Sequence, residues 1–317
     1  MKSPRYPFAR LLLLALCMAS AGCMVKPPPT PSARVRAEHT AEGQAAAAAM
    51  QARFDAIADS DPLNADCDGA RTPVFLCSGI LLRATGNFSE NYHSWNPNPN
   101  STKPGGVSFS FLRRDASFKK LAYGYNHGFT VWPVFHLPQG KFEMEVLCYF
   151  PMDGATDLRS EAGCGPHRDH PTESVPCQRK SPPIVTGVAW LADYNDAPSG
   201  TSKRDQSCGF TMVSGTPDSA ALFKEAMHVQ HLYRGAFFES QDEAIISTWG
   251  TNLEATIPLE SFFFLAGTEG DTQSRGDQND FYVTSRGIWR PIIRVTLPTA
   301  PNGEAHFEYH ESDQAVP

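Results

Sequence analysis

Three short stretches of this chain place reactive side chains at strand-like spacing. Gln241-Asp242-Glu243-Ala244-Ile245-Ile246 opens an apolar run with an acid, and a fixed carboxylate in a site that excludes water stabilises positive charge developing beside it. Leu81-Leu82-Arg83-Ala84-Thr85 ends an apolar run on an arginine, whose planar fork matches two phosphate oxygens in a way lysine does not. Gly106-Val107-Ser108-Phe109-Ser110 alternates, and the two-residue period of a strand sends Ser108 and Ser110 to one face, with both hydroxyls open to one cleft. By the same period Gln241 shares a face with Glu243.

Other chemistries find less in the sequence. The chain has no G-x-S-x-G elbow, no G-x-x-x-x-G-K-[ST] loop and no G-x-G-x-x-G, so esterase, ATPase and dinucleotide-fold readings lack their usual entry points. Ser117-Phe118-Lys119-Lys120 matches S-x-x-K without its partner motifs and reads as a polar helix surface. Cys164, His167 and His170 have the spacing of three metal ligands, but their Gly- and Pro-rich surroundings and the export signal described below favour oxidised cysteines and no metal site. His228 and His231, one helical turn apart, read as helix surface. Tyr92 and Trp95 are loop aromatics able to stack on a planar ligand or to pack their loop down.

The elements that must carry these residues follow from periodicity. Residues 37–58 are Ala-rich and read as a helix. Strands are expected at 74–83, 107–112, 129–137, 142–150, 244–249, 259–265 and 291–297, and further helices near 185–194 and 218–233. Residues 86–106 form a polar loop, and 153–183 a Cys-, Gly- and Pro-rich stretch without periodicity, expected to be a disulfide-stapled insertion. Strands and helices do not alternate regularly, which points to an α+β fold.

The Arg, Ser-x-Ser and Gln-x-Glu elements in this order, with Ile257-Pro258 and another apolar strand after the last, resemble the Arg-Ser-Glu class of ADP-ribosyltransferases that includes cholera toxin. The wider stretch 73–297 is similar to halovibrin-type secreted proteins through Cys77-Ser78-Gly79, Tyr92-His93-Ser94-Trp95-Asn96-Pro97, residues 106–112 and Pro291-Ile292-Ile293-Arg294. The resemblance implies a mixed, split β-sheet core of that type with surrounding helices. It also implies NAD as substrate, with a protein side chain or water trapping the ribosyl group after the nicotinamide bond breaks. Glu243 would be the catalytic carboxylate, Gln241 would help select the acceptor, Ser108 and Ser110 would hold Glu243 and the ribose, and Arg83 would grip the phosphates. A rival pair, Glu143 and Glu145, lies closer to Ser110 in sequence. Gln241 and Glu243 are preferred because Phe237-Phe238-Glu239-Ser240 before them forms an aromatic acceptor loop. A non-catalytic binding module of the same fold, and a metal-dependent hydrolase built on Cys164 to His170, are the competing functions.

Composition and the N-terminus set the compartment. The chain has 317 residues, 41% hydrophobic and 19% charged, with 26 Pro and 24 Gly, which suits a loop-rich globular protein and excludes disordered and coiled-coil classes. A formal charge of -7 argues against a nucleic-acid partner. Lys2, Arg5 and Arg10 precede the apolar run 11–18, too short to span a bilayer but shaped as a secretory signal. Ser20-Ala21-Gly22-Cys23 resembles a bacterial lipobox with Ser20 in place of the usual Leu. The expected organisation is a lipoprotein-type signal peptide at 1–23, a proline-rich tether at 24–37, a helical segment at 38–66 and one catalytic domain at 67–311 with its insertion near 153–183. The protein is thus expected to be exported, as an envelope lipoprotein or a secreted protein, touching the membrane only through a lipid on Cys23. Beyond Cys23 six of the eight cysteines remain (Cys67, Cys77, Cys148, Cys164, Cys177 and Cys208), enough for three disulfides of open pairing.

Overall fold

The computed structural model describes residues 37–55, 79–86, 106–114, 116–131, 146–197, 203–212, 238–239, 241–246, 259–301 and 303–310, with Leu222, Glu225, Ala226 and Val229. Nine strands lie among them: β1 Ile80–Thr85, β2 Val107–Leu112, β3 His127–Val131, β4 Val146–Phe150, β5 Phe210–Thr211, β6 Glu243–Ile246, β7 Leu259–Leu265, β8 Ile292–Thr296 and β9 His306–Tyr309. They form one sheet in the order β5-β4-β6-β2-β1-β3-β7-β8-β9. Every neighbouring pair is antiparallel except β7 and β8. The fold is therefore mixed α+β around a mostly antiparallel sheet.

Both faces of the sheet are covered, which is why its strands are apolar at consecutive positions. Leu81, Phe109, Phe111, Phe129, Phe262 and Phe264 belong to one core with Trp190 and Leu191 of α2 Gly187–Asp196, which follows α1 in the chain. Ile80, Leu82, Leu112, Phe263 and Ile293 join Ala47, Met50 and Phe54 of α1 Thr40–Asp55 in a second core. Glu260 on β7 is fully buried beneath α1, where Arg53 Nη2 donates to both its carboxylate oxygens at 2.6 and 2.7 Å. A third, small cluster of Cys148, Phe150, Cys164 and Ile245 seats the cysteine-rich insertion on β4 and β6.

A short helix, α3 Lys203–Gln206, precedes β5. The helix that periodicity misses is α4, Gly270–Thr284, between β7 and β8. Its sequence is polar and contains Gly270 and Gly276, so its own propensity is poor. Tertiary contacts supply what the sequence lacks: Ser274 Oγ donates to Phe263 O at 2.6 Å, Gln278 Nε2 to Arg290 O at 2.6 Å, and Phe281 packs edgewise on Phe262. Parallel strands also require a crossover of about a dozen residues or more, a role a helix fills.

Strands β2 and β7 have the boundaries read from sequence, and α1, α2, β1, β3, β4, β6 and β8 overlap their expected spans. Residues 117–120 are a correction: they are irregular, with a bend at Lys119 and Phe118 buried in the second core with Leu121 and Phe263, on the path from β2 to β3. The insertion is three short 3-10 turns, Thr156–Leu158, Glu161–Gly163 and Cys177–Arg179. Disulfides join Cys148 to Cys164 and Cys177 to Cys208. Such pairs suit a protein that matures in an oxidising compartment. They also correct the metal reading, since oxidised Cys164 is no ligand, and no cluster suited to a metal occurs among the described residues. Among them, too, no helix is long and apolar enough to cross a membrane. The signal and tether at 1–36, Cys67, Cys77, Tyr92, Trp95, Glu143, Glu145, His228 and His231 lie outside the described residues.

Candidate active site

Sheet order turns three remote segments into neighbours. β2 is flanked by β1 on one side and β6 on the other, so Arg83, Ser108 with Ser110, and Glu243 come from three adjoining strands. Ser108 pairs with Ile245, and Glu243 lies two residues along on the same face of β6, diagonal to the serine and within reach of it. Ser108 Oγ donates to Glu243 Oε1 at 2.6 Å, and Arg83 Nη1 donates to the Ser108 carbonyl at 2.7 Å. Gly128 on β3 lets this wall close: a Cβ there would lie 2.0 Å from the Arg83 carbonyl oxygen, and its φ of 157° is one that side-chain-bearing residues rarely adopt.

These residues line a cleft of about 380 Å³ whose far wall is Tyr123, Tyr125 and the start of the insertion, Asp153 to Asp157. A second cavity of about 610 Å³ shares Tyr123, Tyr125, Asp153 and Gln241 with it and extends toward Lys119 and Arg204. Gln241 stands at the partition, its Oε1 accepting from the Ala122 N–H at 3.0 Å. Ser110 lines the cleft as expected, but the serine that holds Glu243 is Ser108.

Glu243 is 5% exposed and accepts two further hydrogen bonds, from Thr156 Oγ1 to Oε1 at 2.6 Å and from the Gly154 N–H to Oε2 at 2.8 Å. Burial, aided by the nearby Asp153 carboxylate, pushes its pKa up to about 7, while the three donors pull the other way. Burial likewise lowers Arg83 to about 10, although Glu243 and Tyr125 favour its charge. The arrangement is a carboxylate on the ionisation threshold, supported by hydrogen-bond donors, in a cleft that also holds an arginine two strands away across β2. It is suited to stabilising a cation that forms only during reaction.

Comparison of the chain with family models, with curated proteins and with solved structures returned no match.

Several residues that shape the site escape sequence reading. Asp242 is wholly buried, accepting from the Phe111 N–H and the Tyr149 hydroxyl, each at 2.7 Å, so it ties β6 to both β2 and β4; burial pushes it up to about 8. Asp153 forms an ion pair with Arg204 at 3.3 Å. Tyr123, at the rim, is 69% exposed with a left-handed φ of 56°, an uncommon conformation for an aromatic residue. None of these has a motif. The one signal available was that 153–183 follows directly on β4, the strand paired with Glu243.

Proposed function

We propose that this protein is an exported, NAD-consuming enzyme of the ADP-ribosyltransferase type, acting as a mono-ADP-ribosyltransferase or an NAD glycohydrolase. The observation that carries the reading is the convergence of Arg83, Ser108 and Glu243 from adjoining strands into one cleft, with the Ser108 to Glu243 bond at 2.6 Å. These are the residues, in the order, of the Arg-Ser-Glu resemblance, and a mixed α+β fold around a mostly antiparallel sheet is compatible with the core that it implies.

In this reading the bond between ribose C1′ and the nicotinamide nitrogen breaks, and its electron pair neutralises the pyridinium. Positive charge builds on the ribose as an oxocarbenium-like centre, and the Glu243 carboxylate stabilises it. Arg83, tethered through Nη1 to the Ser108 carbonyl, binds dinucleotide phosphate with its remaining donors. The second cavity, beside Gln241, admits the nucleophile. A water or acceptor side chain bonds to C1′ and loses its proton to solvent.

A second reading, a binding module that kept the fold without catalysis, is favoured by one feature: three donors already satisfy Glu243, as they would a structural carboxylate. Incubating the purified protein with NAD and measuring free nicotinamide separates the two. Catalytic release supports the enzyme; NAD binding without release leaves the binding module.

A further inference from the structure

Given the reading of Glu243 as the charge-stabilising carboxylate, the structure bears on what holds that carboxylate. One of its hydrogen bonds comes from β2 and the other two come from the cysteine-rich insertion. We propose that Thr156 is a positioning residue for Glu243, so that the insertion is a working part of the site as well as a stapled loop.

The local construction serves that contact. Thr156 is 3% exposed and opens a 3-10 turn directly after Ala155, which is held at a left-handed φ of 52°. A non-glycine residue in that conformation persists only where its surroundings over-determine it. Asp153 fixes the turn from one end, its N–H donating to the Gln241 carbonyl at 2.9 Å and its Oδ1 accepting from the Ala155 N–H at 3.0 Å. Arg159 fixes it from the other: Nε donates to the Gly154 carbonyl at 2.6 Å, and the remaining nitrogens reach the carbonyls of Ser174, Arg204 and Asp205. Gly154 must be glycine, since a Cβ there would lie 2.5 Å from the Phe150 ring, and only the bare backbone brings its N–H to Glu243. A buried arginine, a strained turn and a close-packed glycine thus converge on a segment whose two free donors end on one carboxylate.

The charged groups around Glu243 show what those donors offset. Burial and Asp153 oppose its ionisation, Arg83 from β1 and Arg159 from the insertion attract its charge, and Asp242, just before it in the chain, repels it. Loss of the Thr156 donor leaves the burial and the Asp153 charge in place, so the neutral form gains.

The test uses Thr156→Val, which keeps the volume and removes the donor, and Thr156→Ser, which keeps the donor and removes the methyl group. Glu243 is titrated in the full-length, ligand-free protein through isotope-labelled glutamate carboxyl signals, with Glu243→Gln identifying the resonance. Thr156→Val should raise its pKa by about one unit, as expected for a lost hydrogen bond to a charged group, and Thr156→Ser should leave it near wild type. In the nicotinamide assay Thr156→Val should lower kcat about tenfold or more with little change in KM for NAD. Thr156→Ser should rescue it, and the alkaline-rising limb of the pH profile should move upward with the titration. A folded Thr156→Val with unchanged Glu243 titration overturns the proposal, as does a Thr156→Ser that is equally defective. Should Thr156→Val fail to fold, Thr156→Ala carries the same titration. If the wild type releases no nicotinamide, the functional reading fails by itself, and the titration still decides the role of Thr156.

Discussion

Glu243 must be ionised to stabilise a cation, yet its site holds it near neutrality, and this has a consequence for rate. With the carboxyl pushed up to about 7, kcat/KM for nicotinamide release should rise with pH through that value as the charged fraction grows. A flat profile across neutral pH contradicts the assignment. Glu243→Gln keeps shape and removes charge, so release should fall a hundredfold or more, about 3 kcal/mol of transition-state stabilisation, with NAD binding much less affected. Arg83→Lys should act in the other sense, weakening NAD binding through the lost fork. Asp242 bears on stability instead. Its carboxyl rises from 3.8 to about 8 on folding, so in that window the folded protein keeps a proton that the unfolded chain releases, and stability falls as pH rises. Glu243 contributes in the same direction between 4.5 and about 7. Asp242→Asn removes one of these two costs and should flatten the decline of Tm between about pH 5 and 8; an unchanged slope would show that Asp242 is not its source.

At the scale of elements, the insertion between β4 and α2 does two jobs with one set of contacts. The Cys148–Cys164 bond ties it to β4, and Cys164 packs with Phe150 and Ile245 beneath the cleft. Its opening turn then meets Glu243, Thr156 sharing Oε1 with Ser108 and Gly154 taking Oε2. Replacing both Cys148 and Cys164 by Ser should cost about 2–4 kcal/mol of stability in chemical denaturation, the usual contribution of a native crosslink. Because the same segment supplies two donors to Glu243, nicotinamide release should drop in the folded double variant by more than NAD affinity does. Equal losses in both would mean that the staple supports the fold alone. Arg159 works alongside the disulfide: it lies 4.8 Å over the Phe150 ring and satisfies carbonyls that would otherwise be buried without donors.

Across the whole molecule, the sheet is clamped by helices on its two faces, and the α1 side carries a buried charge. Arg53 and Glu260 join α1 to β7 across the second core. Taking away one partner leaves an uncompensated charge under a helix, so Arg53→Leu should destabilise by about 3–5 kcal/mol. Adding Glu260→Gln to Arg53→Leu should recover part of that loss, because the remaining group is then neutral. Failure to recover would locate the effect of Arg53 in contacts other than the ion pair, such as that to the Gly79 carbonyl at 3.3 Å. Neither substitution touches the cleft, so nicotinamide release per folded molecule should persist.

Local pattern determined a good deal. The alternation of 107–112 and the apolar run of 259–265 mark β2 and β7 to the residue, because side-chain period and burial are properties of a single strand. Arg83, Ser108 and Glu243 each read alone as an ordinary polar residue within or at the end of an apolar strand, and only their order along the chain, through the resemblance it carries, marked them as a trio. The tertiary structure alone decided which strands adjoin, and with that everything that depends on contact between distant segments. The bond from Ser108 to Glu243 spans 135 positions, and the two donors from Gly154 and Thr156 span 89 and 87. No periodicity reports such a meeting. The same reason hides α4, a polar helix stabilised by hydrogen bonds to the sheet it covers, and the choice of Cys148 with Cys164 and Cys177 with Cys208 among equal candidates. It also hides the buried state of Asp242, whose partners Phe111 and Tyr149 come from two other strands. A sequence states which faces are apolar; the order of strands in the sheet decides what each polar group on those faces will meet.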